Sequence, residues 1–226
     1  MTPAPPLTHA LRCRCGELRG SVTPAPSSKR VICYCRDCQA FARVLGHAAD
    51  VLDAAGGTEV LATLPQHVQF TAGLDRLACL SLREGGLLRW YASCCRTPIG
   101  NTPRNPRLPY VGLVHSALGS APARQASFGP LRMAVNRGGA SQPVQAPRWA
   151  NAVGILGLMK TLLLARAGSA WKTNPFFEPG TGLPTRPVQV LDGAALTAAM
   201  TAAMPAPLTA PLTAAQDAGV HRPGPR

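Results

Sequence analysis

Seven of the eight cysteines in this chain fall into three tight clusters. They are Cys13-Arg14-Cys15-Gly16, Cys33-Tyr34-Cys35-Arg36-Asp37-Cys38 and Cys94-Cys95-Arg96-Thr97-Pro98. Thiols this close together gain little from their spacing unless they share an ion, and thiolate sulfur is a preferred zinc ligand. The first and last clusters together supply four sulfurs, enough to close a tetrahedral structural site. The middle Cys-x-Cys-x-x-Cys supplies three and leaves a coordination position open. Four plus three suggests one structural zinc and one zinc suited to catalysis. Cys79 stands alone in the alternating run Leu77–Leu82 and reads as a half-buried core thiol.

Other uses of cysteine fit less well. Met1–Leu7 lacks the basic and apolar regions of a secretory signal, so a cytoplasmic, reducing compartment is expected. Clustered cysteines there serve metal or redox chemistry rather than structural disulfides. A redox Cys35/Cys38 pair usually opens a helix after a buried strand in a βαβ pattern, and that alternation is missing here.

Composition bounds the fold. Aromatic residues are only 5% of the chain and charged residues 15%, whereas Pro and Gly together number 45. That balance implies many turns and a modest core, which structural zinc would help stabilise. The net charge of +13 suits a nucleic-acid or anionic partner. Arg outnumbers Lys 20 to 3, a skew that biased coding DNA also produces. The arginines are scattered, with no basic helix and no row of interleaved aromatics. Charge alone therefore argues weakly for nucleic acid.

Along the chain, residues 1–10 are Pro-rich and are expected to be disordered. Leu11–Leu18, Val31–Cys35, His67–Thr71, Arg76–Leu82, Leu87–Ser93 and Tyr110–His115 read as strands. A helical turn over Arg36–Arg43 would present Cys38, and Glu84-Gly85-Gly86 is a hairpin turn. Short strands and frequent turns predict a mainly β, antiparallel, multi-sheet zinc-binding domain over residues 11–145. Residues 146–192 form an appendage. Apolar residues recur at helical spacing over Trp149–Ala167, and Gly168 supplies a stop. Lys160 and Arg166 interrupt this helix, so it is not a membrane span; packing on the β domain is the expected fate. Asn174–Phe177 and Arg186–Leu191 would dock as an extended arm. Residues 193–226, rich in Ala, Thr and Pro, read as a disordered tail.

The order of the three motifs resembles the glutathione-dependent formaldehyde-activating enzymes and the centromere protein V domain. The resemblance rests on Cys-x-Cys-Gly, then Cys-x-Cys-x-x-Cys about twenty residues on, then a Cys-x-Thr-Pro segment after a hairpin, and it covers roughly Leu11 to His115. It implies stacked antiparallel sheets around zinc. It also implies structural ligands at Cys13, Cys15 and Cys95, and a zinc associated with catalysis at Cys33, Cys35 and Cys38. The late motif departs from the family pattern: Ala92 stands where the first late cysteine is usual, and Cys94 is an extra sulfur. Neighbouring strand residues point to opposite faces, so Cys94 and Cys95 can share an ion only if the chain turns there. A vicinal disulfide is the strained alternative.

The three-sulfur site has its own chemistry. Three thiolates donate enough charge to make bound zinc a poor activator of water, yet well matched to an exogenous thiol such as glutathione. Carbon–sulfur lyase chemistry on thiol–carbonyl adducts follows. Arg36 and Arg96 could pair with substrate carboxylates, though surface solvation is the better reading of either alone. His47 and His115 are candidate proton shuttles or a fourth ligand, against the plainer reading of packed or exposed histidines. The competing class is a noncatalytic zinc module that binds protein or nucleic acid.

Overall fold

Alternation along the strands sorts the side chains of one large sheet into two faces. One face builds the core and the other builds a cavity. The computed structural model describes residues 7–145, 148–168 and 170–202. Strands β1 (His9–Arg12), β2 (Arg19–Val22) and β3 (Lys29–Cys33) lead into helices α1 (Arg36–Val44) and α2 (Ala48–Val51). Strands β4 (Thr58–Thr63), β5 (Val68–Ala72), β6 (Leu77–Ser81), β7 (Leu88–Ala92), β8 (Pro98–Thr102) and β9 (Val111–Val114) follow. Helix α3 (Ala121–Phe128), strand β10 (Met133–Val135), helix α4 (Arg148–Ala167), strand β11 (Val188–Val190) and helix α5 (Gly193–Ala202) complete the order.

The fold is mainly β, in two sheets with a C-terminal helix. A three-stranded sheet runs β1-β2-β5, and an eight-stranded sheet runs β10-β3-β4-β9-β8-β7-β6-β11. Among the described residues, all pairings are antiparallel except at the two edges of the larger sheet, where β10 runs parallel to β3 and β11 parallel to β6. The parallel edges arise because both late strands return after long connections, which parallel pairing requires.

Register makes the two faces explicit. Trp90, Gly100, Leu113 and Leu61 form one row across β7, β8, β9 and β4. Trp90, Leu113 and Leu61 are buried in the main core with Leu11, Leu18 and Val22 of the smaller sheet's region. Phe176 and Phe177 close this core, their ring centroids 5.1 and 6.4 Å from Trp90. The next row, Arg89, Asn101, Gly112 and Ala62, faces the opposite way. Cys79, in register with Trp90, is buried in the main core.

The appendage is anchored at defined points. Asn151 on α4 accepts from the Ala134 backbone N–H at 3.0 Å and donates to the Ala134 carbonyl at 2.8 Å, tying α4 to edge strand β10. Gly154 permits this approach, because a Cβ there would lie 2.5 Å from the Met133 sulfur. Val153, Leu156, Met159 and Leu163 on the remainder of α4 are exposed. Arg186 fixes the arm by donating to the Leu77 carbonyl at 3.0 Å and the Leu74 carbonyl at 2.7 Å.

Two expectations of disorder require correction. His9 and Ala10 belong to β1, paired with Val22 and Ser21, so the ordered domain starts before residue 11. Gly193–Ala202 is helical, and Leu196, Ala199 and Met200 pack on Ala40, Phe41 and Leu45 of the α1 region. Alanine is a strong helix former, and these apolar side chains recur at i, i+3 and i+4. The remainder of the expected tail, 203–226, lies outside the described residues, as do residues 1–6 of the expected disordered N-terminus.

Candidate metal centres

The first cluster forms where the β1–β2 loop meets the β7–β8 turn. The Sγ atoms of Cys13, Cys15, Cys94 and Cys95 all lie within 4.8 Å of one another. Individual separations are 3.5 Å for Cys13–Cys15, 3.8 Å for Cys13–Cys94 and 3.3 Å for Cys15–Cys94. A tetrahedron of sulfurs about 2.3 Å from zinc has edges of roughly 3.8 Å, so the set fits a closed four-sulfur site. The turn required for adjacent Cys94 and Cys95 is present. Ala92 N–H donates to the Thr97 carbonyl at 2.9 Å, closing a tight hairpin. Arg96 takes φ 57°, a left-handed conformation that few non-glycine residues adopt. The reversal brings Cys94 and Cys95 to one side with their sulfurs 3.9 Å apart, unbridged.

Outer contacts orient these sulfurs. Thr97 Oγ1 accepts from the Arg14 backbone N–H at 3.0 Å, which leaves its single proton to donate to Cys95 Sγ at 3.0 Å. Burial opposes charge on Cys95, but this hydroxyl and nearby backbone N–H groups hold its thiol down to about 6. Burial and the adjoining sulfurs push Cys94 well up. His47, a candidate proton shuttle or ligand, accounts for itself here: Nε2 donates to the Cys95 carbonyl at 3.0 Å, and Nδ1 lies 3.2 Å from Asp50. His115 donates through Nε2 to the Val51 carbonyl at 3.0 Å. Neither histidine joins a sulfur cluster.

The second cluster comprises Cys33, Cys35 and Cys38, also with Sγ atoms mutually within 4.8 Å. Cys33 ends β3, Cys35 caps α1, and Cys38 sits in the first turn of α1. The Cys38 backbone N–H donates to Cys35 Sγ at 3.4 Å, a helix cap made with sulfur. The positive end of the helix dipole therefore faces the sulfurs and favours their thiolate forms. Among the described residues, no fourth Cys, His or carboxylate completes the group. The chemistry and spacing of these donors fit a soft metal ion with one position left over.

Two residues at this cluster escaped the sequence reading. Asn136 donates through Nδ2 to Cys33 Sγ at 3.3 Å, across 103 residues of sequence. Its φ of 54° is left-handed, which asparagine tolerates better than most residues. Arg89, only 2% exposed, has Nη1 4.0 Å from Cys38 Sγ and lies over the Phe41 ring at 5.3 Å. Hydrogen bonds from the neighbouring sulfurs and from Asn136 hold Cys33 far below an ordinary thiol. Sharing charge with Cys33 raises Cys38 and Cys35 in turn. Of the expected arginines, Arg36 is exposed on α1, and Arg96 donates to the Val44 carbonyl.

The three sulfurs open onto a cavity of about 270 Å³ lined on the sheet side by Val31, Val60, Ala62, Arg89, Asn101 and Tyr110, with Leu158 of α4 above. Gly112 leaves room for Tyr110, whose Oη would sit 2.6 Å from a Cβ at that position.

Fold and site together define a small β domain carrying two cysteine-sulfur clusters that could each hold a metal ion. The chain belongs to DUF6151, a family of unknown function whose model matches residues 7–177. No curated protein matches it significantly. Among the described residues, no helix is long and apolar enough to cross a membrane.

Proposed function

We propose that this is a zinc protein similar to the glutathione-dependent formaldehyde-activating enzymes, with a structural zinc at Cys13, Cys15, Cys94 and Cys95. In this reading Cys33, Cys35 and Cys38 would hold a second zinc with one position left for an exogenous thiol, and the reaction would be carbon–sulfur lyase chemistry on a thiol–carbonyl adduct. The observation that carries it is a three-sulfur cluster that no fourth Cys, His or carboxylate among the described residues completes, opening onto a cavity. When bound there, zinc supplies a Lewis-acidic position suited to a soft thiolate.

The protein's own groups support charge on sulfur at that position. The α1 N-terminus, the Asn136 amide and the Arg89 guanidinium all present positive ends to the cluster. Cleavage of an adduct would return the carbon–sulfur electron pair to the thiol sulfur. The adduct hydroxyl would lose its proton to water as the carbonyl forms. Eight unbridged cysteines suit a reducing, cytoplasmic setting.

The test is a titration of zinc-loaded protein with a set of thiols that includes glutathione, the one the resemblance suggests. Binding should weaken as pH falls below neutrality, because the ligand must be a thiolate, and should vanish in Cys35→Ser. The net charge of +13 favours the alternative of a nucleic-acid-binding zinc module. That alternative gives binding that falls steeply with salt and is indifferent to Cys35. Salt-sensitive DNA or RNA binding with no thiol uptake would reverse the order of the two readings.

A further inference from the structure

The cavity beside the open cluster has two unlike ends. At one end stand the sulfurs of Cys33, Cys35 and Cys38 with Asn136 and Arg89. The rest is walled largely by aliphatic side chains, for a structural reason. Val31 and Cys33 of β3 share a face with Met133 and Val135 of β10, their parallel partners in register. Val60 of β4, opposite Val31, adds to the same face, as does Ala62 two residues on. Helix α4, tied to β10 through Asn151, lowers Ile155 and Leu158 over these residues as a roof.

Charge inside this space is already balanced. Among the described residues, the one cation in the lining, Arg89, lies 3.8 Å from the Asp37 carboxylate as well as beside Cys38. Asp37 in turn is paired with Arg83. A ligand bringing two carboxylates and an ammonium, as glutathione does, would find no counter-charge along the aliphatic walls among the described residues, and burying charges without partners is costly. The volume of about 270 Å³ is also small beside the ~300–1,000 Å³ of pockets that enclose drug-sized ligands.

We infer that the open cluster selects a small apolar thiol, whose sulfur takes the free position and whose hydrocarbon body lies between the sheet and α4. This rests on the reading of Cys33, Cys35 and Cys38 as an open metal site and narrows its ligand class. On binding, the S–H bond breaks, the proton passes to water and the sulfur keeps the electron pair. No oxidant or reductant is involved. Aryl thiols and short alkanethiols fit this description; the cysteinyl tripeptide fits it poorly.

The experiment uses the full chain loaded with cobalt(II), whose sulfur charge-transfer and ligand-field bands report a change of ligand at the metal. Ethanethiol, propanethiol, butanethiol and glutathione are titrated under reducing, oxygen-free conditions. Affinity should rise about fourfold per added methylene until the cavity is full, the factor expected for burying one such group. Glutathione should bind more weakly than butanethiol by tenfold or more. In Ile155→Trp, which crowds the roof from the exposed side of α4, butanethiol should lose far more affinity than ethanethiol while cobalt content stays unchanged. As a second handle, Leu158→Gln should flatten the chain-length series. Glutathione binding as tightly as butanethiol, or a flat alkanethiol series in the unaltered protein, overturns the apolar selectivity and leaves the open-site reading standing. Spectra unmoved by every thiol overturn the open site itself.

Discussion

Asn136 holds the sulfur of Cys33 from the end of the neighbouring edge strand, its Nδ2 3.3 Å from Sγ, although 103 residues separate the two. The contact depends on β10 lying parallel to β3 with Val135 opposite Cys33, which sets the following residue beside the sulfur. Left-handed backbone at Asn136 aims the amide inward.

Replacing Asn136 therefore separates two roles. Asn136→Ala should weaken metal at the second cluster by about tenfold or more, the usual effect of removing a hydrogen bond to a ligand. It should also lower stability, since alanine dislikes positive φ. Asn136→Gly should recover the melting temperature but not the metal affinity, measured by competition with a chromophoric chelator.

The first cluster should behave as a structural element. Cys13→Ser is expected to lose one metal equivalent and much of the folded signal, because closed sites contribute folding free energy directly. Thr97→Val removes a donor to Cys95 and an acceptor for the Arg14 N–H, at a cost of about 1–3 kcal/mol. Circular dichroism with metal analysis on the same samples checks both.

On β4, opposite Ile32, Glu59 sits between Arg30 and Arg124, with contacts of 2.8 and 3.0 Å. Burial opposes its charge, but the two guanidiniums outweigh that and hold its carboxyl below the ordinary value of 4.5. A depressed carboxylate stabilises the fold fully above its unfolded value and loses that contribution as pH falls through the lower folded value. Stability of the unaltered protein should thus decline on acidification below about 4.5, and Glu59→Gln should show a shallower decline in that window. At neutral pH the same variant leaves two buried cations uncompensated and should be less stable by about 3–5 kcal/mol in denaturant titration.

The arm contributes to the core. Phe176 is fully buried against Trp90 and Phe70, with ring centroids at 5.1 and 5.7 Å. Phe176→Ala should cost about 3–5 kcal/mol, whereas the exposed Leu183→Ala should stay within about 0.5 kcal/mol. Equal effects at the two positions would mean that the arm does not dock.

Cysteine spacing made both sulfur clusters legible before any fold was known, because few other arrangements reward thiols so close together. Strands β6 and β7 were legible through alternation around Glu84-Gly85-Gly86, with Gly85 at φ 69° in the turn. Strand β8, Pro98–Thr102, was not, since it is buried on both faces and offers no alternation to read. Helix α5 was hidden because Ala- and Thr-rich composition masked its apolar spacing. Asn136 and Arg89 reach their sulfurs only through long-range register, which no local pattern announces.

Under the proposed function each chain would hold two zinc ions, one in a closed four-sulfur site and one in an open three-sulfur site. Native mass spectrometry of the full chain purified under reducing conditions with zinc tests it most directly. Two zinc ions per chain are expected in the unaltered protein, and one in a Cys38→Ser variant that keeps its secondary structure. A single ion in the unaltered protein, or two ions retained in Cys38→Ser, would contradict it.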